Sequence, residues 1–498
     1  MSEVIPHWLN KQAELSPNKI AIELPNGTTL NFQQLKQASQ SYAGKLITYG
    51  VKRGDHVGIY AQNSLAMVVA IHALSYVGAV VVLLNTRLSA AEIAYQLKDA
   101  NVTVVLTQPS LMNAAEQSVA ITTRNIVVCD FEKIGALSET NGRLQDELAL
   151  DDLFTIIYTS GTTGAPKGVT HTYGNHFWSA IASALNLGLS DRDKWLLVLP
   201  LFHVGGLSIV MKSVVYGMTA YIMGKFDEKT VHHAIMNQGV TMLSVVSVML
   251  VELLDELGDD NYPESFRCML LGGGPAPKPL LETAKVSRVP VFQTYGMTET
   301  SSQIVTLSPS YALDKLGSAG KALLPAQIKI VGSDNKPAAA NEVGEIIVKG
   351  PMVTNGYYEN AQANERALHE GWLSTGDLGY VDEEGFLYIM DRRKDLIISG
   401  GENIYPAEIE SVLVGLKGIK EAGVVGKVDK RWGQVPVAFI VKKEGHVDRE
   451  SIIDYCANYL AKYKVPKQIY FVDELPRNAA KKLQRYQLVE WLKDSEQD

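Results

Sequence analysis

Three cysteines in 498 residues leave little scope for a disulfide framework. Cys129, Cys268 and Cys456 stand far apart, without metal-site spacing, and suit a reducing compartment as core residues. No apolar run approaches the roughly 20 residues of a membrane span, and stretches such as Ala79–Leu84 are strand-length. The start, Met1–His7, shows no basic segment followed by an apolar one. A secretory signal is therefore not expected, and a cytoplasmic enzyme is. No internal repeat or low-complexity tract is visible. An excess of basic residues is also missing: the net charge of −8 weighs against a nucleic-acid partner. What is there is 46% hydrophobic and 20% charged, which excludes disorder and implies a large core.

Along the chain, Val4–Leu15 and Asn31–Tyr49 read as amphipathic helices. Asp55–Ile59, Ala79–Leu84, Val102–Leu106 and Asn125–Cys129 read as strands, with the apolar helix Leu65–Tyr76 among them. The polar stretch Phe131–Glu147 reads as a surface connection. A second alternating unit comes next, with strands at Trp195–Leu199, Thr219–Met223, Met242–Val245 and Cys268–Leu271 and a helix from Leu207. Ala326–Val331, Gly344–Lys349 and Phe386–Ile389 are short strands between glycine and proline turns. The expected class is α/β, a large N-terminal domain of α/β subdomains plus a β-rich subdomain, followed by a small mobile α+β C-terminal domain.

A boundary is expected at the charged run Asp391–Asp395, dividing residues 1–391 from 392–498. Counted from Asp391, residues 391–498 carry 19 Lys/Arg against 17 Asp/Glu, and the rest 27 against 37. A weakly basic unit beside an acidic one suits a lid over an anionic ligand; ordinary variation in surface charge is the alternative.

Tyr158-Thr159-Ser160-Gly161-Thr162-Thr163-Gly164-Ala165-Pro166-Lys167-Gly168 lies between the apolar run Leu153–Ile157 and a subsequent helical pattern. Its glycines let backbone N–H groups approach a polyphosphate, its hydroxyls donate to phosphate oxygens, and Lys167 neutralises charge. Pro166 and Gly168 stand where a Walker A loop requires Gly and Ser/Thr, so a P-loop NTPase is excluded. Further on, Leu271-Gly272-Gly273-Gly274-Pro275 can lay flat backbone against a purine. Gln293-Thr294-Tyr295-Gly296-Met297-Thr298-Glu299 offers an aromatic plane and a hard oxygen ligand. Ser374-Thr375-Gly376-Asp377 ends in a carboxylate able to accept two hydrogen bonds. Ser399-Gly400-Gly401-Glu402-Asn403 is a side-chain-poor turn, and Leu475–Arg485 carries the pair Lys481-Lys482.

In this order and spacing, these motifs resemble the adenylate-forming superfamily of acyl-CoA synthetases, peptide-synthetase adenylation domains and firefly-type luciferases, over nearly the whole chain. The resemblance implies ATP, Mg²⁺ and coenzyme A as ligands. Thr159, Ser160, Gly161, Thr162, Thr163, Gly164 and Lys167 would hold the β- and γ-phosphates. Gly272, Gly273, Gly274 and Pro275, with Gln293, Thr294, Tyr295 and Gly296, would hold adenine, with Tyr295 stacked on it. Thr298 would contact the α-phosphate, Glu299 would be the Mg²⁺ ligand, and Asp377 and Arg392 would bind the ribose. Lys394 would be the hinge, Gly400 and Gly401 would meet the pantetheine arm, and Lys482 would bridge carboxylate and α-phosphate. The family pattern has glycine before that lysine, where this chain has Lys481, so either lysine could carry the role.

The residues after Leu199-Pro200-Leu201-Phe202-His203 should line the acid pocket, with His203 matching a gating histidine. Lys212 sits among apolar neighbours. It either snorkels to solvent or pairs with a second carboxylate of the substrate. Ser302 and Gln303 add polar groups. Together with the run Gly296–Thr306, these residues resemble most the CoA ligases that act on a keto diacid carried on an aromatic ring. Other aryl- or fatty-acid–CoA ligases, a carrier-protein-loading adenylation enzyme and self-association of the chain remain open at this point.

Overall fold

The computed structural model describes residues 3–88, 90–140, 142–159, 166–273, 276–332, 334, 336–392, 395, 397–399, 402–404, 406–429, 432–443, 447–460, 462–478 and 481–494. Two large sheets dominate. The first has six strands in the order 167–172, 153–159, 80–83, 56–60, 104–107, 127–130, all parallel except the hairpin of its first two. The second begins parallel, through 219–222, 194–197, 242–245, 268–271 and 291–297, and turns antiparallel at 302–307. From there 318–322, 387–392, 372–381, 344–349 and 327–331 extend the same sheet. The β-rich part is thus a continuation of the second sheet, with no break in hydrogen bonding between them. A separate five-stranded sheet, built from residues after 397, belongs to the small C-terminal domain.

The parallel strands are short apolar runs because both faces are covered, as at Val80–Leu83 and Met242–Val245. Helix Leu65–Val77 is apolar on nearly all sides for the same reason: it lies inside the first core with Phe32, Leu35 and Ile134. Ser64 caps its start and Gly78, in the left-handed conformation, ends it. Asn31 likewise caps Phe32–Tyr49 with a capping box.

Four expectations need correction. Val4–Pro6 is a strand paired with Glu147–Ala149, so the first helix is only Trp8–Leu15. The stretch 131–147 is no mere surface connection, since Phe131–Gly135 is helical and buries Phe131 and Ile134. The helix read from Leu207 begins at Val204. The glycine-rich loop leads into strand Lys167–Thr172, and the helix is delayed to Tyr173. Pairing of 167–172 with strand 153–159 holds it extended.

One ion pair fastens the second sheet at the N-terminal edge of its parallel strands. Asp193 precedes strand 194–197 and Arg267 precedes 268–271. Arg267 Nε and Nη2 donate to the two Asp193 oxygens at 2.7 and 2.6 Å, and Nη1 donates to the Leu187 carbonyl at 2.7 Å. Thr241, before the intervening strand, adds a bond to Asp193 at 3.3 Å. The Asp193 side chain is 2% exposed. Asp193→Ala would leave a partly buried guanidinium without its counter-charge, at a cost of about 3 kcal/mol. Calorimetric melting should show this as a lowered transition, with substrate KM values of the folded fraction unchanged because the clamp lies at the far end of the strands.

Candidate active site

Gly272, Tyr295, Thr298 and Glu299 emerge from the carboxyl end of a parallel strand or from the junction at which the second sheet reverses direction, while Asp377 lies within the antiparallel strand 372–381. Open α/β sheets present ligands with a crevice in such places. Thr159 closes strand 153–159, and Lys167 stands directly opposite it in the antiparallel register, so the ends of the glycine-rich segment are held side by side. Ser160, Gly161, Thr162, Thr163 and Gly164 lie outside the described residues, as do Gly274, Pro275, Lys394, Gly400 and Gly401. Gly272 comes directly after strand 268–271 and faces the Thr294 methyl, 3.3 Å from where its Cβ would stand. Gly273 has φ +89°, a conformation that favours glycine.

Tyr295 and Asp377 meet: the phenol donates to Asp377 Oδ2 at 2.7 Å. Asp377 is buried, and Arg392 is its cross-strand partner in register. Thr294 uses its hydroxyl on the Val305 carbonyl at 2.8 Å, so only its backbone and methyl remain for a ligand. Gln293 is buried with Nε2 unpartnered, and Gln303, 2% exposed, has neither amide atom bonded. Buried amides left in this state mark places where a ligand or water completes the bonding.

Thr298 and Glu299 sit on a short 3₁₀ turn between the reversing strands. Thr298 is fixed through its carbonyl, 2.7 Å from His171 Nε2. A carbonyl only accepts, so His171 carries its proton on Nε2. Its Nδ1 then accepts from Thr155 Oγ1 at 3.3 Å, and that hydroxyl accepts from His176 Nε2 at 2.9 Å. Burial lowers the pKa of both histidines, that of His171 to about 4, so the chain of bonds is neutral near pH 7. Glu299 is buried; its Oε1 accepts from the Tyr357 hydroxyl at 3.0 Å and its carbonyl from Thr354 N at 2.8 Å. The Tyr357 ring also carries Lys167 Nζ 4.9 Å from its centroid.

Among the described residues no group of three or more His, Cys, Asp or Glu gathers as a metal cage. This fits Mg²⁺, which keeps several waters and binds through one or two carboxylates plus substrate phosphates. Glu299, a single buried carboxylate, is that kind of donor.

On the acid side, His203 immediately precedes helix Val204–Tyr216. Its Nε2 is buried without a partner. Burial, then the nearby charges of Arg87 and Lys482, lower its pKa to about 4, so the ring is a neutral imidazole. Lys212, on the same helix, is 1% exposed, which overturns the snorkelling alternative. Its ammonium lies 4.8 Å over the Trp195 ring, and Trp195 Nε1 donates to Ser244 Oγ at 3.1 Å. No carboxylate among the described residues lies within ion-pair distance of it, and burial lowers its pKa to about 8. Ser302 begins strand 302–307 in an unusual backbone conformation, φ +130°.

The two terminal lysines separate clearly. Lys481 has φ +63°, in the left-handed region that explains a glycine at this place in the family pattern. Lys482 is the one whose charge reaches His203. Its N–H donates to Asn478 Oδ1 at 2.9 Å, and Asn478 N–H donates to its carbonyl at 2.9 Å.

Sequence reasoning missed His171, His176, Tyr357, Trp195 and Arg87. His171 lies four residues beyond Lys167 on the strand leaving the phosphate loop, a position that could have drawn notice. Tyr357 comes after Asn355-Gly356, which reads simply as a turn.

The family described as AMP-binding enzyme matches residues 9–358, and its C-terminal domain matches 408–482. The 2-succinylbenzoate–CoA ligase of Oceanobacillus iheyensis is 54% identical over 490 residues, covering 98% of this chain and all of that one. The o-succinylbenzoate CoA synthetase of Bacillus subtilis, solved with the acyl-adenylate OSB-AMP, superposes with a TM-score of 0.92 at 47% identity over 98% of each chain. A double mutant of that synthetase with the product analogue OSB-NCoA, again 47% identical, covers 98% of this chain and 99% of its own and scores 0.77. By TM-score the chain lies nearer to the adenylate complex than to the product-analogue complex. The chain belongs to the AMP-binding enzyme family.

Proposed function

We propose that this chain is a 2-succinylbenzoate–CoA ligase, an AMP-forming acid–thiol ligase of menaquinone biosynthesis working in the cytoplasm. It joins 2-succinylbenzoate to coenzyme A through an acyl-adenylate, releasing pyrophosphate and then AMP. The observation that carries the substrate is Lys212, a fully buried ammonium facing no carboxylate of the described protein. A fatty or simple aryl acid would leave it unmatched, whereas a diacid presents one carboxylate for activation and one for this cation. The unpartnered amide of Gln303 and the polar Ser302 suit the same substrate.

In the first step the substrate carboxylate attacks the α-phosphorus and pyrophosphate leaves. Thr159, Ser160, Thr162, Thr163 and Lys167 grip the departing phosphates, and Thr298, held through His171, faces the α-phosphate. Mg²⁺, which Glu299 would hold, supplies charge neutralisation at the phosphate oxygens. Tyr295 and Asp377, already bonded to one another, present a plane for adenine and a carboxylate for the ribose. Lys482 bridges carboxylate and α-phosphate as charge builds. Neutral His203 lines the entry without competing for the acid's charge. In the second step the small domain turns near Lys394, withdrawing Lys482 and bringing Gly400 and Gly401 toward the thiol of CoA. The thiol attacks the mixed anhydride, and no protein nucleophile is needed.

Pyrophosphate release with 2-succinylbenzoate tests the assignment against a panel of benzoate, fatty acids and a carrier protein. Activity confined to another acid, or thioester formed only on a carrier protein, would overturn it.

Lys482→Ala should lose adenylation by two orders of magnitude or more and retain thioester formation from pre-made acyl-adenylate. Lys481→Gly should keep both half-reactions within about twofold, since it relieves a left-handed residue that costs about 1 kcal/mol.

Lys212 binds the second carboxylate only when protonated. In the pyrophosphate-releasing half-reaction, KM for the diacid should be flat below pH 8 and rise toward tenfold per pH unit above it, with kcat little changed. In Lys212→Met that dependence should vanish and KM should be high throughout.

A further inference from the structure

Two opposite charges of the site converge on one tyrosine. The Tyr357 hydroxyl donates to Glu299 Oε1 at 3.0 Å, while Lys167 Nζ sits over the ring of the same residue, 4.9 Å from its centroid. Resting on the nucleotide reading above, we propose that Tyr357 is a positioning residue that keeps Glu299 and Lys167 apart and separately available. Its hydroxyl orients the carboxylate toward the metal, and its ring face holds the ammonium until nucleotide phosphates draw the lysine away.

The need for such a residue is electrostatic. Without a spacer, a lysine and a glutamate at the rim of a narrow site would pair, and a desolvated ion pair strongly resists separation. Both groups would then be consumed by one another. A phenol that donates to one carboxylate oxygen uses only one of about four acceptor positions and leaves the negative charge in place. A lysine resting on a ring face keeps its full charge in a weak contact that a polyphosphate easily outcompetes.

The backbone around Tyr357 is built to hold it there. Its N–H donates to Asn364 Oδ1 at 2.7 Å, and Asn364 Nδ2 donates to its carbonyl at 3.1 Å. It bridges to Val169, two residues beyond Lys167, and Tyr358 N donates to the Gly168 carbonyl at 2.8 Å. Gly356 has φ +138°, and a Cβ there would stand 2.5 Å from Asn364 Oδ1. Thr354 N holds the Glu299 carbonyl at 2.8 Å. One loop thus grips the backbone beside the lysine and that of the glutamate, with the tyrosine between them.

The test is calorimetric binding of ATP to full-length enzyme with no acid present, over a range of Mg²⁺ concentrations and in EDTA. Tyr357→Phe keeps the ring and removes the donor. It should raise the Mg²⁺ concentration required for tight binding about tenfold, with metal-free ATP affinity unchanged. Tyr357→Leu removes ring and donor, lets Lys167 close on Glu299, and should also weaken metal-free ATP binding several-fold. A purely structural tyrosine would lower the melting temperature and leave the Mg²⁺ dependence where it was. Wild-type Mg²⁺ dependence in a folded Tyr357→Phe enzyme overturns the proposal. So does unchanged metal-free affinity in a folded Tyr357→Leu enzyme; should leucine prevent folding, the phenylalanine variant decides alone. Wild-type enzyme that binds no Mg·ATP would instead refute the nucleotide reading itself.

Discussion

The site depends on a five-residue turn held in backbone conformations that it would not choose alone. Between strands 291–297 and 302–307 the chain reverses through Thr298–Ser302, and the last two residues are non-glycine at φ +55° and +130°. Each such residue costs of order 1–3 kcal/mol and persists only where its surroundings over-determine it. Ser179 donates to the Ser301 carbonyl at 3.0 Å, Ser301 Oγ to the Met352 carbonyl at 2.8 Å, and Thr300 Oγ1 to the Ser302 carbonyl at 2.7 Å. Gly296 is part of the same constraint, because a Cβ there would lie 2.0 Å from the Ser302 carbonyl oxygen. The result is a rigid platform that fixes Thr298 and Glu299 at the point where the sheet changes from parallel to antiparallel.

Around that platform the protein manages charge by neutralising what need not be charged. His171, His176 and His203 are all driven toward the neutral form, chiefly by burial. Lys167 and Glu299 are kept from cancelling by an intervening phenol. Lys212 is the exception, a cation placed against an indole in an otherwise apolar pocket. A buried charge with no carboxylate partner among the described residues is costly, and that cost becomes selectivity when a second carboxylate of the substrate relieves it.

Much of this is legible in the sequence, and the pattern of success has a physical cause. Gly272, Tyr295, Glu299 and Asp377 stand out as residues through the family motifs that hold them, and the structure brings Tyr295 and Asp377 into one hydrogen bond. Buried parallel strands need unbroken apolar runs, which is why Met242–Val245 and Cys268–Leu271 are legible to the residue. Residues that work through tertiary contact carry no such mark. Tyr357 reaches Glu299 across 58 positions and His171 reaches Thr298 across 127, so nothing local announces either. The strand after the phosphate loop reads wrongly as helix for a related reason: Lys167–Thr172 has no strong period, and pairing with strand 153–159 decides its form.

Lys481 shows how a departure from pattern can be informative once its backbone is known. A lysine in place of glycine makes the register of the terminal motif ambiguous in sequence, since either lysine could be the bridging one. Between the bridged residues Arg477 and Leu483, Lys481 is the described residue that takes the left-handed conformation. The position that family members fill with glycine is therefore a conformational one, and its side chain is incidental to the turn. Lys482, next in the chain, is left in ordinary backbone with its charge toward His203. In the proposed mechanism Lys167, on strand 167–172 of the large domain, grips the leaving group and Lys482, in the C-terminal domain, bridges, so the two charges stand on separate domains. An enzyme running two successive half-reactions in one crevice needs that division, because the pantetheine thiol must reach the carbonyl that Lys482 has just served.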